Sequence, residues 1–83
     1  MTPGEERVRI DYNPTGDPVI DEIKRKSADL IDLCLAQMRH DPSPSPEAKY
    51  WSEANRRFSL AMDSYELGCV WACNGVTAGQ AAR

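Results

Sequence analysis

Residues 51–75 read WSEANRRFSLAMDSYELGCVWACNG, and within them Trp51, Phe58 and Tyr65 recur every seven residues. Ala54, Ala61 and Gly68 recur at the same interval, three residues after each aromatic. This is a heptad seam, in which each small residue admits a neighbouring backbone and each ring fills the space one turn away. It predicts a long helix over residues 46–76. Ala72 and Gly75 continue the seam, but Cys69, Val70, Trp71 and Cys73 around them make the helix apolar on nearly every side. A helix apolar all round has to be buried, and one partner helix cannot cover it.

Upstream, Asp41-Pro42-Ser43-Pro44-Ser45-Pro46 cannot continue a helix, and it separates the seam from a second helical pattern. That pattern starts at Asp17-Pro18, a carboxylate able to cap free backbone N–H groups followed by a proline suited to the first helical position. Ile20, Ile23, Ser27, Leu30 and Cys34 then follow three-four spacing, widened by Ile31, Leu35 and Met38. Arg39 and His40 suit a helix C-terminus, so the first helix is predicted over residues 18–40, with a loop at 41–45. Before it, Val8, Ile10 and Tyr12 alternate with charged residues as in an extended arm, and Asn13-Pro14-Thr15-Gly16 makes a turn. The expected fold is all-α: one domain over residues 1–83, an antiparallel two-helix hairpin with a short extended N-terminal arm (1–17), assembling into an oligomer.

At 83 residues the chain buries a small share of its surface, which again favours assembly. Three cysteines, all within apolar stretches, do not form a disulfide framework and point to a reducing compartment. The first residues are acidic and polar, with no secretory pattern, and no apolar run is long enough to cross a membrane. A net charge of -3 argues against duplex nucleic acid as a partner.

Catalytic and metal chemistry find little support. Cys69 and Cys73 lack the further ligands a zinc site needs, so no metal or cofactor is expected. His40 stands alone, and Asp63 and Glu66 read as solvated or ion-paired carboxylates, Glu66 pairing across a subunit boundary. The better candidate is an anion site. Lys24, Arg25 and Lys26 are consecutive cations, and a reversal at residues 14–16 folds Tyr12 and Asn13 back beside Lys24 or Lys26. A flat ring, an amide and an ammonium suit a nucleotide, although a solvated basic patch with a docking tyrosine is the plainer reading of the residues alone. Arg56 and Arg57 form a second basic spot.

Tyr12-Asn13-Pro14-Thr15-Gly16-Asp17-Pro18, followed by Ile23-Lys24 and the apolar run from Ala28 to Leu33, resembles the phage anti-CBASS cyclic-nucleotide sponge family and its Thoeris anti-defence relatives. Ala61, Glu66 and Val70-Trp71-Ala72 are similar to the tryptophan-bearing helix of that hairpin domain, so the resemblance runs from about residue 10 to 77. It implies a homohexamer of interlocked dimers in the host cytoplasm that binds cyclic dinucleotides, and in some members cyclic trinucleotides or cyclic ADP-ribose-type signals, without cleaving them. It further implies base stacking by Tyr12 and phosphate contact by Lys24 or Lys26, with Ser27 beside them and, for a second pocket, Asn13 and Arg57 or Arg56. Trp51, Phe58, Tyr65, Cys69, Val70 and Trp71 are the expected oligomer contacts. Cys73 and Asn74 depart from the pattern, which has valine and lysine there. The alternative is a coiled-coil protein-interaction or structural module with no small-molecule ligand.

Overall fold

The computed structural model describes residues 1–39 and 46–82. Among them there are three helices and no strand: α1 Pro3–Val8, α2 Pro18–Gln37 and α3 Ala48–Gln80. The predicted loop at 41–45 and His40 lie outside the described residues.

The arm is helical where the alternation of Val8, Ile10 and Tyr12 predicted extended chain, because Thr2 and Glu5 form a reciprocal capping box. The Thr2 hydroxyl accepts from the Glu5 N–H at 3.1 Å, and the Glu5 carboxylate accepts from the Thr2 N–H at 2.8 Å. Pro3 sits in the first turn, where its missing N–H costs nothing. The chain reverses at Arg9, so Val8 and Ile10 both reach the core, Val8 buried and Ile10 packed against it.

Three contacts dock α1 across the other two helices. Gly4 donates its N–H to Asp32 Oδ1 at 2.7 Å, an approach so close that a Cβ there would stand 2.3 Å from the Ala28 carbonyl. Arg25 of α2 bonds Glu5 at 2.8 Å. The Arg7 guanidinium reaches Asp63 at 2.6 Å and Glu66 at 2.8 Å on α3. Glu66 therefore pairs with α1 of its own chain, where a partner across a subunit boundary was expected.

The Thr2 backbone N–H and the Arg25 guanidinium hold the Glu5 carboxyl down at about 2. A depressed folded-state pKa contributes stability that is present above the ordinary carboxylate range and lost as pH falls through it toward the folded value. On acidification from pH 5 toward about pH 2, the amides of α1 are expected to lose exchange protection before those of the α2 and α3 core, read by NMR.

α2 begins as expected, with Asp17 Oδ1 accepting from the Val19 N–H at 2.9 Å. It stops at Gln37, short of the predicted 40, because Asn55 of α3 takes both polar groups of the Arg39 backbone: its Oδ1 accepts from the N–H at 3.0 Å and its Nδ2 donates to the carbonyl at 2.6 Å. The Arg39 guanidinium also lies 4.1 Å over the Trp51 ring. α3 starts at Ala48, with Pro46 and Glu47 in a turn, and runs to Gln80, past the predicted 76, where Gln80 Nε2 donates to Asp17 Oδ2 at 2.6 Å.

The core is Val8, Ala28, Ile31, Met62 and Cys69, flanked by residues that include Ile23, Cys34 and Cys73. The expected aromatic seam holds at one end only. Trp51 and Phe58 are half-buried, whereas Tyr65 is exposed and Gly68 and Gly75 have nothing nearby. The reason is geometric: a seven-residue row on a straight helix drifts by ~20° per repeat, so a row facing α2 at its start has turned outward two repeats later. The inner face instead runs through Phe58, Met62, Cys69 and Cys73. With extents of 58 × 22 × 12 Å the molecule is about one helix thick, which leaves the outer row of α3, including Leu67, Val70 and Trp71, in solvent. No described helix is long and apolar enough to cross a membrane.

Candidate ligand cleft

A cleft of about 250 Å³ opens where the turn before α2 meets the last third of α3. Its walls are Tyr12 to Thr15, Ile20 and Lys24 of α2, and Cys73, Asn74 and Thr77 of α3. The turn is shaped by Asn13 and Gly16. Gly16 takes a φ of +69°, where glycine is at ease, and donates its N–H to the Asn13 carbonyl at 3.2 Å. The Asn13 amide donates to the Asp17 carbonyl at 2.8 Å and to Asp21 at 3.0 Å, and its oxygen accepts from the Thr15 hydroxyl at 2.9 Å. Asn13 thus lines the cleft while its amide braces the turn.

Lys24 is buried among apolar neighbours, which a lysine tolerates only when its ammonium is satisfied. It donates to the Arg9 carbonyl at 2.9 Å and to the Tyr12 carbonyl, tying the end of α1 and the start of the turn to α2. This places its Nζ 5.4 Å from the Tyr12 ring centroid, while the Arg9 guanidinium lies 4.4 Å from the same ring. Tyr12 is 54% exposed, so this aromatic residue stands open to solvent in the cleft lining with two cations near its ring.

Of the six expected ligand contacts, Tyr12, Asn13 and Lys24 converge here and the other three do not line the cleft. Lys26 is exposed and ion-paired with Glu22 at 2.8 Å. The Ser27 hydroxyl bonds back to the Ile23 carbonyl at 2.7 Å. Arg57 pairs with Glu53 at 3.0 Å and shares it with Arg56. Among the expected oligomer contacts, Cys69 is covered within its own chain, Trp51 and Phe58 are partly so, and Tyr65, Val70 and Trp71 face solvent.

The residues missed in the sequence are Asn74 and Thr77, which line the cleft, and Arg9, which lies outside its lining, against the Tyr12 ring. Asn74 and Thr77 are three apart and share a helix face, a signal available in the sequence; what was not available was which part of α2 that face meets. Cys73 also reaches the cleft, where burial, followed by the neighbouring Cys69, pushes its thiol up from the ordinary range and keeps it protonated at neutral pH. No group of three metal-ligating side chains occurs among the described residues. The cleft lining combines an aromatic residue, Tyr12, polar side chains and one cation, Lys24, whose ammonium is bonded to two backbone carbonyls. Comparisons of the chain with family models, with curated proteins and with solved structures find no match.

Proposed function

We propose that this chain is a non-catalytic binding protein that sequesters cyclic oligonucleotide signals, cyclic dinucleotides first among them, and thereby blocks an antiphage response in the host cytoplasm. The observation that carries this reading is the half-exposed Tyr12, its ring beside two cations, in a cleft also lined by Asn74 and by Thr77, whose hydroxyl donates to the Cys73 carbonyl at 3.1 Å. A base stacks on such a ring and bonds to such groups, and a phosphate meets such charge. The resemblance of residues 12–18 and 70–72 to the sponge family points the same way.

The cleft is smaller than the roughly 300–1,000 Å³ usual for a whole ligand. A base with its sugar fits; the rest of a cyclic dinucleotide needs a second wall. A second copy of the chain supplies it in this reading, in which antiparallel hairpins assemble through the outer face of α3 into a homo-oligomer, a hexamer by resemblance. The contacts of Arg39 with Asn55 and of Asp17 with Gln80 support the antiparallel arrangement. The exposed apolar row at Leu67, Val70 and Trp71 supports a partner on α3, and equally favours the second reading, a module that binds another protein and no small molecule.

Calorimetric titration with cyclic dinucleotides, cyclic trinucleotides and cyclised ADP-ribose, with each ligand recovered for chromatography, tests the proposal. Saturable binding with intact ligand is expected. Recovered cleavage products would make the protein an enzyme, and silence across the panel would leave the protein-partner reading in front.

A further inference from the structure

The described cations are almost all engaged. Arg7 is held by Asp63 and Glu66, Arg25 by Glu5 and Asp29, Lys26 by Glu22, and Arg56 and Arg57 by Glu53. Lys24 is bonded to two backbone carbonyls. Arg39 and Lys49 lie over Trp51 and Tyr50, at the far end of α3 from the cleft. Arg9 is exposed, has no carboxylate partner among the described residues, and, although it lies outside the cleft lining, sits against the ring of Tyr12, which is in it. Resting on the function proposed above, we propose that Arg9 is the residue that meets the ligand's phosphate, and that Lys24 is the positioning residue that holds it there.

The backbone supports this assignment independently. Arg9 adopts φ 55° and ψ 61°, the left-handed conformation in which α1 ends, with its own N–H on the Glu6 carbonyl at 3.2 Å and the Ile10 N–H on the Glu5 carbonyl at 3.0 Å. Glycine ordinarily fills that position in this helix-ending motif, because a Cβ there is sterically costly. The conformation persists at Arg9 because its carbonyl is bonded from both sides, by Lys24 Nζ at 2.9 Å and by the Tyr12 N–H at 2.9 Å. A non-glycine residue held in this region calls for a use of its side chain, and here the guanidinium lies 4.4 Å from the Tyr12 ring centroid. A guanidinium stacks by its face while its edge offers paired N–H donors to phosphate oxygens, so one residue can both border the stacked base and hold the adjoining phosphodiester.

The test is an NMR titration following the Arg9 Nε–H and the Tyr12 ring, with cyclic di-AMP, cyclic di-GMP and inorganic pyrophosphate as probes. Wild type is compared with Arg9→Gln, Arg9→Gly and Lys26→Gln. We expect a nucleotide to shift both reporters, Arg9→Gln and Arg9→Gly to weaken it about tenfold or more, and Lys26→Gln to stay within about twofold. Arg9→Gly is the fold control: glycine relaxes the left-handed position, so its thermal midpoint should equal or exceed that of wild type while binding is weakened. Wild-type affinity in Arg9→Gln for a nucleotide that shifts Tyr12 would overturn the role of Arg9 and leave the binding function standing. No response of either reporter to any probe would overturn both.

Discussion

Replacing Lys24 with methionine is expected to cost about 2–3 kcal/mol of folding stability and to release the segment from Arg9 to Tyr12. Methionine fills nearly the space of the lysine stem but offers no donor. Two carbonyls, of Arg9 and Tyr12, lose the charged partner they share, and hydrogen bonds to a charged group are among the stronger ones in a folded chain. Removing the ammonium also removes the penalty of burying it, which keeps the expected loss below the sum of two such bonds. The consequence reaches past stability. With its carbonyl free, Arg9 has less to hold it left-handed, and the Tyr12 ring loses its fixed place at the cleft. Urea unfolding and amide exchange at Arg9, Ile10 and Tyr12 measure the two effects separately. A midpoint matching wild type with exchange unchanged would mean that the turn forms without the ammonium.

That dependence also explains which parts of the molecule were legible in the sequence. The start of α2 is written locally, in Asp17 and Pro18, and appears where expected. The capping box of α1 is equally local, but Val8, Ile10 and Tyr12 carry an alternation that reads as extended chain. The alternation arises because the helix ends at Arg9 and the chain doubles back, which a strand template cannot represent. Arg9 itself gave no signal, since its conformation rests on an ammonium fifteen residues away. Tyr12, Asn13 and Lys24 could be grouped because one short turn brings them together. Asn74 and Thr77 could not, because their place depends on how α3 lies along α2.

The seam in α3 shows the same division. Its heptad is real in the sequence, yet the row is part-buried only from Trp51 to Ala61, and the 3.6-residue period leads the chain's own core through Met62, Cys69 and Cys73 instead. The remainder of the seam, small residues beside exposed apolar ones, has no use within one chain.

If the proposed assembly forms through the outer face of α3, replacing Trp71 with alanine is accordingly expected to dissociate it while leaving the fold of each chain intact. Trp71 is 68% exposed, so the chain gains little from it, and Leu67 and Val70 stand in solvent on neighbouring positions. Gly68 and Gly75 flank this group with open space around them, so another helix can approach the backbone beside the ring. A tryptophan enclosed at an interface buries on the order of 150–250 Å² of its own surface. At ~25 cal/mol per Å² that corresponds to about 4–6 kcal/mol as an upper figure. Truncation of a central anchor of this kind removes at least about 2 kcal/mol, which is ~30-fold in a dissociation constant. A two-fold interface contains the residue twice, so the loss is counted twice per contact. Sedimentation at micromolar concentration should show wild type as an oligomer and Trp71→Ala as a smaller species, with equal helix content by circular dichroism. A wild-type chain that sediments as a monomer across that range would remove the second wall the cleft needs, and with it the case for a ligand as large as a cyclic dinucleotide.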